Sequence, residues 1–164
     1  MNFLKVNIKG MKYLQNNEFD GLGFTHPSQR TMDRFSKKAL YLAQNLFEKV
    51  DYSSLDLGRI GVVLCTYTGP VASVKEHAFI IKLKGYKGIN PSRFPNTMLS
   101  TALSLVVTSL GIKGPSIAMY LDESIEHAFK YGIIQLEKKV CDMMMILLVN
   151  ENDDDFGVCF TNIN

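Results

Sequence analysis

Ile60-Gly61-Val62-Val63-Leu64-Cys65 is an unbroken apolar run of strand length between Arg59 and Thr66. A strand with no polar face is covered on both sides, the condition of a strand inside an α/β sheet. Helical spacing surrounds it. From Asp33 to Val50, Phe35, Ala39, Leu42, Leu46 and Phe47 share one face, with Thr31 or Asp33 as N-cap. After the Gly69-Pro70 turn, Val71 to Leu83 reads as a second helix, and Pro91 and Pro95 break the next stretch. A third helix over 97–110 ends at Gly111.

Ser116 to Leu121 reads as a strand, 124–138 as a helix introduced by Asp122 and Glu123, and 142–149 as a second continuous apolar strand. The acidic turn Glu151 to Asp155 leads into a last strand, 156–163. At the other end, Phe3, Leu4, Val6 and Ile8 predict a first strand ending at Gly10. Residues 11–30 read as loop, with Asn16-Asn17, Gly21, Gly23 and Pro27 as breakers.

The order β-α-β-α-α-β-α-β-β predicts an α/β fold with a mostly parallel sheet and helices on both faces. The short last connection predicts an antiparallel finish. Residues 1–164 are expected to form one domain, long enough to bury a core without disulfides or metals.

A net charge of +2 argues against a nucleic-acid binder, which concentrates basic charge. The apolar run Met143 to Val149 is too short for a membrane span, and the N-terminus lacks the apolar core of a signal peptide. Cys65, Cys141 and Cys159 are scattered in apolar runs with no ligand spacing, so they read as core residues and a zinc site is not expected. No cofactor is expected, and a reducing cytoplasm is the simplest compartment.

Four stretches carry a family resemblance. Thr31 to Leu40 contains Met32-Asp33-Arg34-Phe35 and resembles the "MDRF" helix of β-ketoacyl synthases; Gly61 to Thr66 resembles their "GVV-GT" strand. Asn90 to Met98 resembles the segment before their third helix, and Leu110 to Ser116 their "GL-GPS" approach to the nucleophile. In this order the words identify a degenerate N-terminal half of a β-ketoacyl synthase. That implies a single thiolase-like half-domain with a five-stranded mixed sheet.

In that family the strand after "GPS" leads to a cysteine at a helix start, where the N-terminus favours thiolate. Counting from Gly114-Pro115-Ser116 puts Glu123 at that position, with Asp122 or Ser124 one step away. A carboxylate cannot take an acyl chain from a thioester as a thiolate does, so the resemblance implies a lost nucleophile. The family's second half supplies two catalytic histidines, and His26, His77 and His127 match neither motif. Ser100 and Ser104 stand where the family usually shows Asn and Gly.

Each marked residue has a plainer reading. Glu123 could act as a base, or simply favour a helix N-terminus by about 0.3–1 kcal/mol. Asp122 reads as an N-cap. Ser124 with His127 could form a nucleophile and base, but no GxSxG elbow or orienting carboxylate accompanies them. Met143-Met144-Met145 reads as buried strand before it reads as a soft ligand set. Asp153-Asp154-Asp155 lacks the glycine and distal glutamate of a calcium loop and reads as a solvated turn. Lys82, Lys84, Lys87 and Arg93 form a basic cluster that either steers an acidic carrier protein or is a solvated loop.

The resemblance further implies that the strand Ser116, Ile117, Ala118, Met119, Tyr120 and Leu121 lies at the sheet edge and pairs across a dimer axis. An open apolar edge calls for a partner. The first expectation is a non-catalytic subunit, like chain-length factors, pairing with a full-length condensing enzyme in fatty-acid, polyketide or aryl-polyene-type synthesis. The second is a homodimer that binds an acyl chain or acyl carrier protein. The third is an altered enzyme using Glu123 or Asp122 as a base.

Overall fold

β2 (Ile60–Thr66) and β4 (Met143–Leu148), the two apolar runs, lie parallel and in register at the heart of a five-stranded sheet. The computed structural model describes residues 6–20, 25–27, 30–50 and 56–162. β1 (Val6–Leu14), β3 (Ser116–Tyr120) and β5 (Asp155–Asn162) complete the order β1-β5-β4-β2-β3. β3 is parallel to β2, while β5 is antiparallel to both β4 and β1. Four strands therefore share one direction and β5 alone opposes them, as the helix-strand alternation and the short last connection require.

The helices are α1 (Asn16–Phe19), α2 (Arg34–Lys49), α3 (Val71–Lys84), α4 (Leu99–Leu110) and α5 (Glu126–Glu137). Strand side chains alternate between two faces. Val62, Leu64, Met145 and Leu147 pack with α2 and α4, whereas Val63, Cys65, Met144 and Ile146 pack with α5. Every residue of β2 is buried, so each large aliphatic there contributes about 1.5–3 kcal/mol of transfer free energy. Asp33 caps α2, its Oδ1 accepting the Ser36 N–H at 2.9 Å, and Gly111 closes α4 in the left-handed region at φ 69°.

Two family words have a packing cause. A Cβ on Gly61 would stand 2.6 Å from the Pro115 carbonyl oxygen, and one on Gly114 would strike the Ile60 carbonyl. Only glycine lets the entry to β3 lie this close to β2.

Several expectations are corrected. Gly10 does not end the first strand: the ladder to β5 shifts register between Ile8 and Gly10, and β1 continues to Leu14 opposite Asp155. Residues 11–14 are therefore strand and not loop, because β5 offers a partner that no local pattern reveals, and 16–19 form a short helix. Arg34 holds α1, forking onto both Asp20 carboxylate oxygens at 3.0 and 3.1 Å and reaching Asn16 Oδ1 at 2.9 Å. Leu121 lies just past β3 and is buried, its N–H bonded to the Thr66 carbonyl at 2.8 Å. It therefore belongs to the core and leaves the edge. Asp155 is no solvated turn residue; it opens β5 fully buried. Phe3, Leu4, Gly21 and Gly23 lie outside the described residues.

Candidate functional site

In α/β sheets, ligands gather at the carboxyl ends of the strands, and here those ends are tied together by side chains. Thr66 Oγ1, at the end of β2, accepts the Gly69 N–H at 2.8 Å and donates to Asn150 Oδ1 at 3.2 Å, just beyond β4. Asn150 Oδ1 also accepts the Tyr67 N–H at 2.9 Å. Gly69, at φ 63°, has no room for a side chain, because the Tyr120 ring from the end of β3 lies where a Cβ would go.

The chain then turns through Leu121 to Ser124 before α5. Asp122 and Glu123 are exposed and have no side-chain partner among the described residues. α5 begins only at Glu126, with Ile125 at the N-cap position and no side-chain cap; Ser124 Oγ accepts the Glu126 N–H at 3.1 Å from the turn before it. Asp122 is thus not the N-cap, and the first-turn acid is Glu126.

No thiol replaces a nucleophile at this turn. Cys65, Cys141 and Cys159 are free and buried, and burial pushes their thiols up to about 12, 11 and 12. The histidines are spread apart. His26 Nε2 meets Ser109 Oγ at 3.2 Å, His77 is buried on α3, and His127 is exposed on α5 with no hydrogen bond to Ser124.

β3 is an edge strand among the described residues. The Pro115 carbonyl and the Leu121 N–H both point at β2, so alternation turns the backbone groups of Ser116, Ala118 and Tyr120 outward. Tyr120 is 59% exposed, and Ile117, Ala118 and Met119 are half-buried. The strand therefore offers an unpaired ladder lined by apolar side chains.

The buried polar cluster behind this end was not foreseen. Lys38 Nζ donates to the carbonyls of Asn150 and Asp153 at 2.6 and 2.9 Å and to Asn16 Oδ1 at 3.2 Å. Its position three residues after Phe35, on the apolar face of α2, is the signal that could have found it. Glu151 is buried beside the start of α3, where its carboxylate accepts the Ala72 N–H; burial, reinforced by the charge of Asp33, raises its pKa. The basic residues Lys82, Lys84 and Lys87 are exposed at the end of α3, and Arg93 stands 4.0 Å from Glu76.

Residues 4–147 match the family described as beta-ketoacyl synthase, N-terminal domain. No curated protein matches the chain in sequence. Among solved structures, a type II PKS acyl-carrier protein in complex with its ketosynthase bound to the hexaketide superposes with a TM-score of 0.81 at 12% identity, covering 97% of this chain and 63% of that one. The ishigamide ketosynthase/chain length factor gives 0.78 at 15% identity, covering 96% and 62%. A ketosynthase (ApeO) in complex with its chain length factor (ApeC) from Xenorhabdus doucetiae gives 0.70 at 7% identity, covering 98% and 80%. The chain thus spans less than two thirds of the length of the first two. Among the described residues no helix is long and apolar enough to cross a membrane.

Proposed function

The chain belongs to the β-ketoacyl synthase N-terminal domain family, and on that premise we propose that it is a non-catalytic, synthase-like subunit that pairs with a full-length condensing enzyme. Residues 1–164 form one such domain, working in the cytoplasm in acyl-chain synthesis of the polyketide, aryl-polyene or fatty-acid type. The observation that carries this is the exposed turn after β3, where the count from Gly114-Pro115-Ser116 assigns Glu123, with Asp122 or Ser124 one step away, to the position of the family's cysteine. Two carboxylates there repel a thiolate or enolate, and every thiol of the chain is buried elsewhere.

Two further features support pairing. β3 leaves its outer backbone groups unpaired beside apolar side chains, a surface that a second strand can complete. Ketosynthase/chain length factor assemblies are among the structures this chain resembles. In the pair, this chain contributes shape through Ser116 to Tyr120, and the exposed lysines at the end of α3 suit an acidic acyl carrier protein.

Mass by light scattering, on the chain alone and after co-expression with a full-length synthase, tests this. A stable heteromer is expected. A homodimer indifferent to the synthase would sink the auxiliary role and favour self-paired acyl-chain or acyl-carrier binding. Turnover by the isolated chain that Glu123→Ala abolishes would instead make Glu123 a base.

A further inference from the structure

A cleft of about 510 Å³ opens between the start of α2, α3 and the turn Phe94–Thr97, and no residue of β3 lines it. Its volume falls inside the roughly 300–1,000 Å³ range of small-molecule sites. Its floor is buried and polar: Ser73, His77 and Asn96 are 7%, 6% and 8% exposed, beside Met32. Each floor group is held by one internal bond. Ser73 Oγ donates to Asp33 Oδ2 at 2.8 Å, and Asn96 Nδ2 donates to the Thr31 carbonyl at 2.6 Å. His77 Nδ1 lies 2.8 Å from the Ser73 carbonyl, and the ring meets Phe94 edge-on at 6.0 Å.

A carbonyl can only accept, so Nδ1 carries a proton, which leaves Nε2 as the ring's remaining hydrogen-bonding atom. Nε2 accepts from a hydroxyl when the imidazole is neutral and donates to an anion when it is protonated. The rim has a surplus of positive charge. Arg30 and Lys37 make no ion pair among the described residues, and Arg93 has only a 4.0 Å contact with Glu76. The carboxylate of Asp33 is already committed, one oxygen to Ser36 N–H and the other to Ser73.

We propose that this cleft binds a small hydroxylated anion, its phosphate or carboxylate held by Arg30, Lys37 and Arg93 and its hydroxyl by His77 and Asn96. Fixed polar groups beneath two cations without an ion pair and a third held only loosely are the arrangement that gives a polar site orientation as well as charge. The site stands apart from the partner role proposed above, because its occupancy is read on the isolated chain.

The probes are glycerol 3-phosphate and inorganic phosphate, titrated into the ¹⁵N-labelled chain against sodium chloride of matched ionic strength. Saturable shifts confined to residues 30–37, 73–77 and 93–96 are expected, with glycerol 3-phosphate the tighter probe. Arg30→Gln and Arg93→Gln, both at exposed positions, should each weaken it about tenfold, the loss of one charge-assisted contact. Lys82→Gln and Lys84→Gln, which remove the same charge outside the cleft, should leave it unchanged. Shifts that sodium chloride reproduces, no saturation with either probe, or equal weakening by the lysine variants would overturn the assignment.

Discussion

Lys38 Nζ stands 3.1 Å from Asp155 Oδ2 with both side chains fully buried, and this contact ties the second turn of α2 to the first residue of β5. The three ammonium protons are taken by Asn150 O, Asp153 O and Asn16 Oδ1, so the carboxylate oxygen meets the charge without an aligned hydrogen bond of its own. Asp155 Oδ1 accepts the Asn150 N–H at 3.0 Å. The pair thus fixes where the last hairpin leaves β4 and returns.

Removing one partner strands a buried charge. Lys38→Met should lower stability by about 3–5 kcal/mol in urea unfolding. Lys38→Met with Asp155→Asn should recover much of that loss, since the amide keeps the Asn150 bond and carries no charge. A double variant no more stable than the single would show that the lysine's bonds to the carbonyls, rather than its charge balance, hold the hairpin.

Two buried carboxyls set a pH dependence of known sign. Burial pushes Asp155 up from 3.8 to about 6, against Asn150 N–H and Lys38, and burial likewise raises Glu151 above 4.5. The folded chain therefore takes up these protons before the unfolded chain does, and their contribution to stability grows as pH falls from about 6 toward 4. Asp142 runs the other way: the Arg59 guanidinium lowers its pKa, so its contribution disappears only as pH falls below 3.8. Urea midpoints measured from neutral pH downward should rise before they fall, and Glu151→Gln with Asp155→Asn should flatten the rise.

The outward groups of β3 can be blocked without touching its pairing to β2. Ala118→Pro removes an N–H that points away from the sheet, and proline is tolerated on edge strands. The melting temperature of the isolated chain should fall by no more than a few degrees, about 1 kcal/mol, while association measured by light scattering should be lost. Unchanged association would exclude β3 as the contact.

Thiol chemistry reports on the turn before α5. The native chain should resist a thiol reagent until it unfolds, because all three cysteines are buried with raised pKa values. Glu123→Cys places a thiol in an exposed bend and should react within the mixing time of the native titration. A slow Glu123→Cys reaction would mean that a partner or second copy covers the turn.

Local periodicity along the chain was enough to read most of the elements. The apolar runs 60–65 and 143–148 needed cover on two faces, Asp33 and Gly111 marked helix ends, and four short stretches, two of them containing Gly61 and Gly114, carried the family resemblance. These depend on residues close in the chain, so a pattern can hold them. The run of β1 past Gly10 was set by the assembled sheet instead, since β5, some 150 residues away, supplies its hydrogen bonds. Folding likewise placed Lys38, Glu151 and Asp155 inside, because a charge is buried only where distant partners converge to solvate it. The same convergence brought His77 on α3 and Arg30 before α2 to the Arg93–Asn96 turn, three segments that no spacing rule connects.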